Sequence, residues 1–407
     1  MAYIRRKAAM SDVPEGYKMS EVGVIPEEWE VKKLGECLLR NPEYGINASA
    51  VPYSDNLPTY IRITDISEEG RFLPEKKSSV SNINSNNYFL EKDDIVFART
   101  GASTGKTYLY NSNDGDLVFA GFLIRVKVNP NELIAQYLKS YTETGAYWNW
   151  VKIMSMRSGQ PRINGNEYAQ LQISLPPLPE QQAIASVLSD VDALISALEQ
   201  LTTKKRNIKQ GAMQQLLTGK KRLPGFGGKW EVKKLGEIFK ITAGGDFKEQ
   251  FSSNDEDERH CYPIYSNSVS NRGLYGYSTY FVYEANSITV TARGTIGVAN
   301  MRNHKFTAIG RVIVLKPEYP VDCFFASEFI NNRINFVVET TGVPQLTAPQ
   351  ISLYEISLPS HPEQQAIAQI LSDMDIEIEA LEQKQTKYKA IKQGMMQELL
   401  TSKTRLV

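Results

Sequence analysis

Two short stretches of the chain combine the residue types that hold phosphates and read base edges. Ala98-Arg99-Thr100-Gly101-Ala102-Ser103-Thr104-Gly105-Lys106 and Ala292-Arg293-Gly294-Thr295-Ile296-Gly297 each end a run of strand-forming residues in arginine and follow it with a glycine-rich turn. Glycine lets the backbone approach a ligand, hydroxyls and amides bond phosphate oxygens, and a guanidinium forks onto phosphate or a guanine edge. Arg99, Thr100, Ser103, Thr104, Lys106, Arg293 and Thr295 are therefore candidate nucleic-acid contacts. An ordinary hairpin with a buried Arg–carboxylate pair is the alternative. Further on, Ser158-Gly159-Gln160-Pro161-Arg162-Ile163-Asn164 aligns with Thr341-Gly342-Val343-Pro344-Gln345-Leu346-Thr347. Gln160, Arg162, Asn164, Gln345 and Thr347 suit base edges or phosphates, and a plain turn into the last strand is the competing reading.

Other chemistry is poorly supported. Gly101 to Thr107 approaches the phosphate-binding pattern GxxxxGK[ST] but has three residues between its glycines where four are required. Asn41-Pro42-Glu43-Tyr44 is similar to the NPPY tetrapeptide of adenine methyltransferases, with Glu43 in place of the second proline and no glycine-rich cofactor loop beside it. Asp246-Phe247-Lys248 has the DxK spacing of nuclease metal sites, too short a match to stand alone. His260, His304 and His361 are scattered, so no metal site is expected; Cys37, Cys261 and Cys323 lie far apart and are expected as reduced thiols.

These candidates must be positioned by something larger. A chain of 407 residues holds two or three domains. Its 42% hydrophobic, 23% charged and 10% aromatic residues fit a folded soluble protein. Lys plus Arg and Asp plus Glu both number 46, so composition gives no argument for nucleic acid. The basic run Thr202 to Arg222 reads first as a solvated helix face. No apolar run is long enough to span a membrane, and a cytoplasmic protein is expected.

The architecture is a unit written twice. Ile173 to Leu223 matches Ile356 to Leu406 without a gap, with 34 of 51 positions identical, and WEVKKLGE occurs at both Trp29–Glu36 and Trp230–Glu237. The offsets, 183 and 201 residues, differ by 18, so two near-identical frames hold two unlike inserts. Each repeated segment reads as a long helix, with proline and glutamate at its start (Pro179-Glu180) and lysines before Gly219 at its end. At about 38 residues and roughly 1.5 Å per residue, each is a rod on the order of 55 to 60 Å. A heptad seam is expected at Ile184, Val187, Val191, Leu194, Leu198, Leu201 and Ile208, and in the second copy at Ile367, Ile370, Met374, Leu381, Tyr388 and Ile391, with Glu377 and Lys384 as polar interruptions. The first-choice arrangement is an intramolecular antiparallel coiled coil.

Between the frames, strand runs alternate with Gly, Asn, Ser and Pro. Thr59–Ile66, Asp94–Arg99, Gly121–Val126, Ser287–Arg293 and Ala308–Leu315 read as strands, so each insert is a small mixed α/β domain. The order 1–22, 23–172, 173–222, 223–355 and 356–407 follows as N-terminal segment, first insert, central helix, second insert and C-terminal helix.

The opening Tyr17 to Trp29, the paired Pro-Glu-Gln-Gln helices and the two arginine turns together resemble the specificity subunits of type I restriction-modification systems, over nearly the whole chain. The resemblance implies two target recognition domains, each reading half of a bipartite double-stranded DNA site, with the helices as spacer and docking surface. Because the inserts would read different sequences, Arg62 and Thr64 in one opening strand, and Ser266 and Asn267 in the other, join the candidate DNA contacts. It also implies partners: two modification subunits carrying S-adenosylmethionine to adenine N6, and two restriction subunits using ATP and magnesium. No catalytic residue, cofactor or metal is then expected in this chain. From the residues alone, an enzyme acting by itself and a peptide-binding scaffold remain the rival classes.

Overall fold

The computed structural model describes residues 13–156, 159–337, 344–401 and 403–406. Ser158, Thr341-Gly342-Val343 of the aligned turns, and the first twelve residues of the expected N-terminal segment lie outside the described residues. Helices α1 (Ala135–Tyr141), α2 (Gly145–Ser155) and α3 (Gly165–Ala169) precede the long α4 (Leu178–Leu216). Helices α5 (Cys323–Arg333) and α6 (Ala348–Ser352) precede the long α7 (His361–Leu399). The chain divides into two compact units. One runs to Ala197 and takes back the chain from Lys384; the other is Leu198–Gln383. The boundaries fall inside the long helices, so each unit owns half of both.

In the first unit, Glu43–Tyr44, Leu123–Lys127, Asp94–Ala98 and Thr107–Leu109 form an antiparallel sheet in that order. A second sheet orders Leu117–Phe119, Thr59–Ile61, Ser78–Val80 and Ala50–Pro52, its first pair parallel. Strand 94–98 is buried along its length, and its period of two divides it between two cores. Ile95 and Phe97 pack with Tyr137, Leu138 and Tyr147, whereas Val96 and Ala98 pack with Ile61 and Phe119.

The second unit repeats the plan. Phe239–Ala243, Val312–Pro317, Ser287–Thr291 and Ala299–Arg302 form one sheet, and Ser252–Ser253, Leu274–Ser278, Tyr262–Tyr265 and Thr307–Ala308 the other. The run expected as one strand over Ala308–Leu315 serves both sheets: Thr307–Ala308 ends in one and Val312–Pro317 begins in the other, across Gly310 and Arg311 at φ +88°. A continuous apolar run conceals such a crossing, because both pieces are buried. Likewise Thr59–Ile66 is a strand only to Ile61 and then a 3-10 turn over Ile63–Asp65.

The duplicated border motifs pair with each other. Glu30–Lys33 runs antiparallel to Gln172–Leu175, and Glu231–Lys234 to Glu355–Leu358. The turn after each opening strand is tied down by Leu34 N donating to Leu171 O and Leu235 N to Tyr354 O. Each insert is thus closed by its own frame before a long helix departs.

In the first unit the start of α4 packs against the end of α7: Ile184, Ala185 and Leu188 share a core with Met396, Leu399 and Leu400. In the second unit Met213, Leu216 and Leu217 pack with Ile367, Ala368 and Leu371. Partner numbers fall as residue numbers rise, so both pairings are antiparallel. Ile184, Val191, Leu198, Ile367, Met374, Leu381 and Tyr388 are buried or half-buried at their expected seam positions. The alternate series stands one residue further along, at Leu188, Ile195, Thr202 and Lys209 in α4 and at Leu371, Ile378, Gln385 and Lys392 in α7. Val187 and Ile370 are half-buried, while Leu194, Leu201, Ile208 and Ile391 are exposed. A seam judged by apolar residues alone overlooks Lys209 and Lys392, which enter it because each meets an aspartate. Fully burying a leucine such as Leu188 or Leu371 contributes about 1.5 to 3 kcal/mol.

The mirrored bonds explain the repeated Pro-Glu-Gln-Gln. Glu180 and Glu363 are fully buried, and each takes a two-pronged bond from an arginine, Arg405 at 2.7 and 2.9 Å and Arg222 at 2.6 and 2.6 Å. Gln181 accepts from Ile134 N and Gln364 from Asp322 N, joining each long helix to the start of α1 or α5. Lys392 bonds Asp192 at 2.8 Å and Lys209 bonds Asp375 at 2.6 Å. All three pairs of bonds recur at the 183-residue offset of the sequence repeat on the long helices. The three cysteines are free. No helix of the described residues is long and apolar enough to cross a membrane.

Candidate nucleic-acid interface

In the first unit, strand 94–98 delivers Arg99 to the rim of the sheet, where the following turn is zipped onto the segment that enters α3. Gly101 N donates to Pro161 O, Ile163 N to Arg99 O, and Thr100 faces Arg162 in an isolated bridge. Thr104 is buried and spends its hydroxyl on Gly101 O and Pro161 O. Gly105, at φ +93°, presses on Val151, where a Cβ would lie 2.7 Å from the nearest methyl, and its carbonyl accepts from Tyr147 Oη at 2.7 Å. The turn is therefore a fixed platform. Upon it, Arg99 lies over the Tyr44 ring at 4.9 Å with its Nε buried and unpartnered. Arg162 is exposed close by, and among the described residues neither arginine meets a carboxylate. A stacked guanidinium with spare donors suits a base edge or phosphate.

The second unit holds Arg293 differently. Leu346 N donates to Ala292 O, drawing the segment before α6 alongside, and Arg293 donates from Nε to Gln345 Oε1 at 2.8 Å and also from Nη2. Asn267 Nδ2 donates to Arg293 O at 3.0 Å. Gln345 stands where Arg162 stands in the first unit, so the paired clusters are Arg99 with Arg162 and Arg293 with Gln345. Thr295 lies in the turn, and its carbonyl accepts from Thr291 Oγ1.

Several other candidates are committed to internal work. Arg62 forks onto Asp65 at 2.8 and 2.8 Å, and Thr64 donates to the same carboxylate. Asn164 and Thr347 cap α3 and α6, each in a capping box with the residue three positions on. Lys106 bonds Glu68 at 2.6 Å, and Ser266 Oγ donates to Gly273 O at 3.4 Å. Ser103 is half-exposed on the turn, and Gln160 beside it already has an interaction of its own. Of the tetrapeptide Asn41 to Tyr44, Glu43 and Tyr44 form a strand, from which Glu43 pairs with Arg125 and Tyr44 carries Arg99. Sequence reasoning missed Tyr44 as the partner of Arg99, since nothing in its spacing links residue 44 to residue 99. Among the described residues no cluster of His, Cys, Asp and Glu could hold a metal ion.

Two closed frames, each presenting an arginine-ended turn, define the class of a duplicated DNA-specificity fold. The chain belongs to the family described as type I restriction modification DNA specificity domain, matched over residues 26–210 and again over 227–390. It is 28% identical to the type I restriction enzyme MjaX specificity subunit of Methanocaldococcus jannaschii, across 96% of this chain and 97% of that one. It is 23% identical to the MjaVIII specificity subunit of the same organism, across 94% of each. The S subunit of the type I restriction-modification system of M. genitalium shares the fold at a TM-score of 0.65 and 15% identity, covering 91% of this chain and 96% of that chain.

Proposed function

We propose that the chain is the DNA-reading subunit of a type I restriction-modification complex, each insert recognising one half of a bipartite site. One observation carries this reading. The same frame, down to the mirrored Glu180–Arg405 and Glu363–Arg222 bonds, surrounds two unlike clusters, Arg99 with Arg162 and Arg293 with Gln345. Constant frames with differing arginine turns suit a protein that must hold one geometry while reading two sequences. The inserts, roughly 23–172 and 223–355, are then the target recognition domains.

The long helices set the spacing between the half-sites and dock two modification subunits. The exposed Leu194, Leu201 and Ile208 on α4 support an apolar docking face. The partners supply the chemistry: methyl transfer from S-adenosylmethionine to adenine N6, and translocation and cleavage by two restriction subunits with ATP and magnesium. The chain itself is non-catalytic and works in the cytoplasm.

Exchanging residues 237–355 for another such insert tests the reading, with methylated adenines mapped across the host genome. One half of the motif is expected to change and the other to persist. A change in both halves, or in neither, overturns the modular reading.

A further inference from the structure

Among the described residues the buried charged side chains face opposite charges, with one exception. Asp65 holds Arg62, Arg125 lies against Glu43 and Asp94, Lys139 meets Glu143, and Glu180 and Glu363 hold Arg405 and Arg222. Arg302 is 4% exposed and meets no carboxylate. Its Nε donates to Thr289 Oγ1 at 2.9 Å, its Nη2 donates to Arg272 O at 2.6 Å, and its guanidinium lies 3.5 Å from the Tyr265 ring centre. The Tyr265 hydroxyl in turn bonds His304 Nε2 at 2.8 Å. The Tyr265 side chain also hydrogen-bonds the guanidinium, and among the described residues Nη1 has no carboxylate or backbone partner.

Withdrawing a cation from water without a counter-charge is unfavourable, and the ring and two neutral acceptors offset only part of that penalty. The neighbourhood adds to the deficit. Burial draws the Arg302 pKa down to about 10 against the opposing Tyr265, with the Arg272 charge lowering it further. Arg272 is exposed and forms no ion pair among the described residues. A carboxylate that feels it, Glu328, is half-buried beside Lys209 at 3.5 Å.

The backbone is bent to bring the two arginines together. Asn271 and Arg272 lie in the left-handed region at φ +49° and +50°, where asparagine is at home but arginine is rare. Gly273 follows at φ +85°, where a Cβ would stand 2.7 Å from Ser266 O. This turn sets the Arg272 carbonyl on Arg302. The same loop contains Asn267, which bonds the Arg293 carbonyl, so the paired cations adjoin the candidate interface.

We infer that Arg272 and Arg302 form a clamp for one DNA backbone phosphate beside the Arg293–Gln345 cluster. A phosphodiester supplies the missing negative charge, with oxygens for Nη1 of Arg302 and for the Arg272 guanidinium. A clamp of this kind fixes register and carries no sequence preference. The inference rests on the reading of this chain as a DNA-binding subunit.

The test uses the complex purified through an affinity tag on this chain, with duplexes carrying or lacking its methylated motif, and binding measured across a salt series. Arg272→Gln is expected to weaken both duplexes by the same factor and to reduce the slope of log K against log salt by about 0.9, leaving the motif unchanged. Adding Arg302→Met should cause no second loss of slope, since both residues serve one phosphate. Arg259→Gln, at an exposed arginine in the acidic loop Asp255–Arg259, should leave the slope intact. An unaltered slope in Arg272→Gln, or a changed motif, overturns the clamp while leaving the DNA-reading function standing. Failure of the unsubstituted complex to bind either duplex overturns that function as well.

Discussion

Among the described residues each unit buries one arginine, and the two keep opposite company. Arg125 lies over Phe119 at 4.8 Å, with Glu43 at 2.8 Å and Asp94 at 3.4 Å. Arg302 has an aromatic ring as well, but its hydrogen-bond partners are a hydroxyl and a carbonyl. The first is a closed structural pair, whose charges answer one another inside the protein. The second is a site left electrically open. Burial alone therefore does not distinguish a structural arginine from a functional one; the charges around it do.

The sharpest way to break that comparison is to remove each arginine. Arg125→Met takes the nearest cation from Asp94 and Glu43, which among the described residues keep only Lys127 at 3.5 Å and Arg40 at 3.0 Å, and should cost about 1 to 3 kcal/mol. Arg302→Met takes a cation from no carboxylate and is expected to cost less, within about 1 kcal/mol. Denaturant melts of the two variants measure the difference. Equal losses would mean that Arg302 is as structural as Arg125.

The mirrored glutamates sharpen it further. Trp29 Nε1 donates to Glu180 at 3.0 Å, whereas among the described residues Trp230 Nε1 is buried with no partner, so Glu363 receives no such bond. Glu180→Ala orphans a second donor and should exceed Glu363→Ala by about 1 to 3 kcal/mol in the same melts. Identical costs would show that the tryptophan bond contributes nothing.

The smallest effect is a pH dependence of opposite sign. Burial raises the pKa of Glu143, but Lys139 and Lys392 outweigh it and hold the carboxyl below its usual value. Burial raises that of Glu328 too, and there Lys209 loses, with Asp375 adding to the rise. A depressed carboxyl gives stability above its unfolded value of about 4.5, lost as pH falls through the folded value. A raised one favours the fold when protonated and weakens it as pH rises through the folded value. Glu143→Gln should thus destabilise at neutral pH and Glu328→Gln should not, each by about 1 kcal/mol or less. Melts at neutral and acid pH check this, and a shared sign would contradict the assigned surroundings.

Much of the frame was legible in advance. The gap-free repeat, Pro179 and Gly219 at the helix limits, and the arginine turns are local patterns, and local backbone preferences produce them. The seam was half legible: every seventh position from Ile184 held, while the alternate series moved by one residue because Lys209 and Lys392 enter it. The candidate site was less legible. Arg62 met Asp65 and was used in folding a turn, whereas Arg99, in a stretch of similar composition, stacked on Tyr44.

By itself the sequence determined that this chain has two like frames with unlike inserts, because duplication and helix periodicity are written along one dimension. Only the tertiary structure decided which polar side chains remain free to meet a ligand. Whether an arginine finds its counter-charge depends on residues far away in the chain. Glu43 stands 82 positions from Arg125 and closes its pair, and among the described residues no carboxylate closes the charge of Arg302.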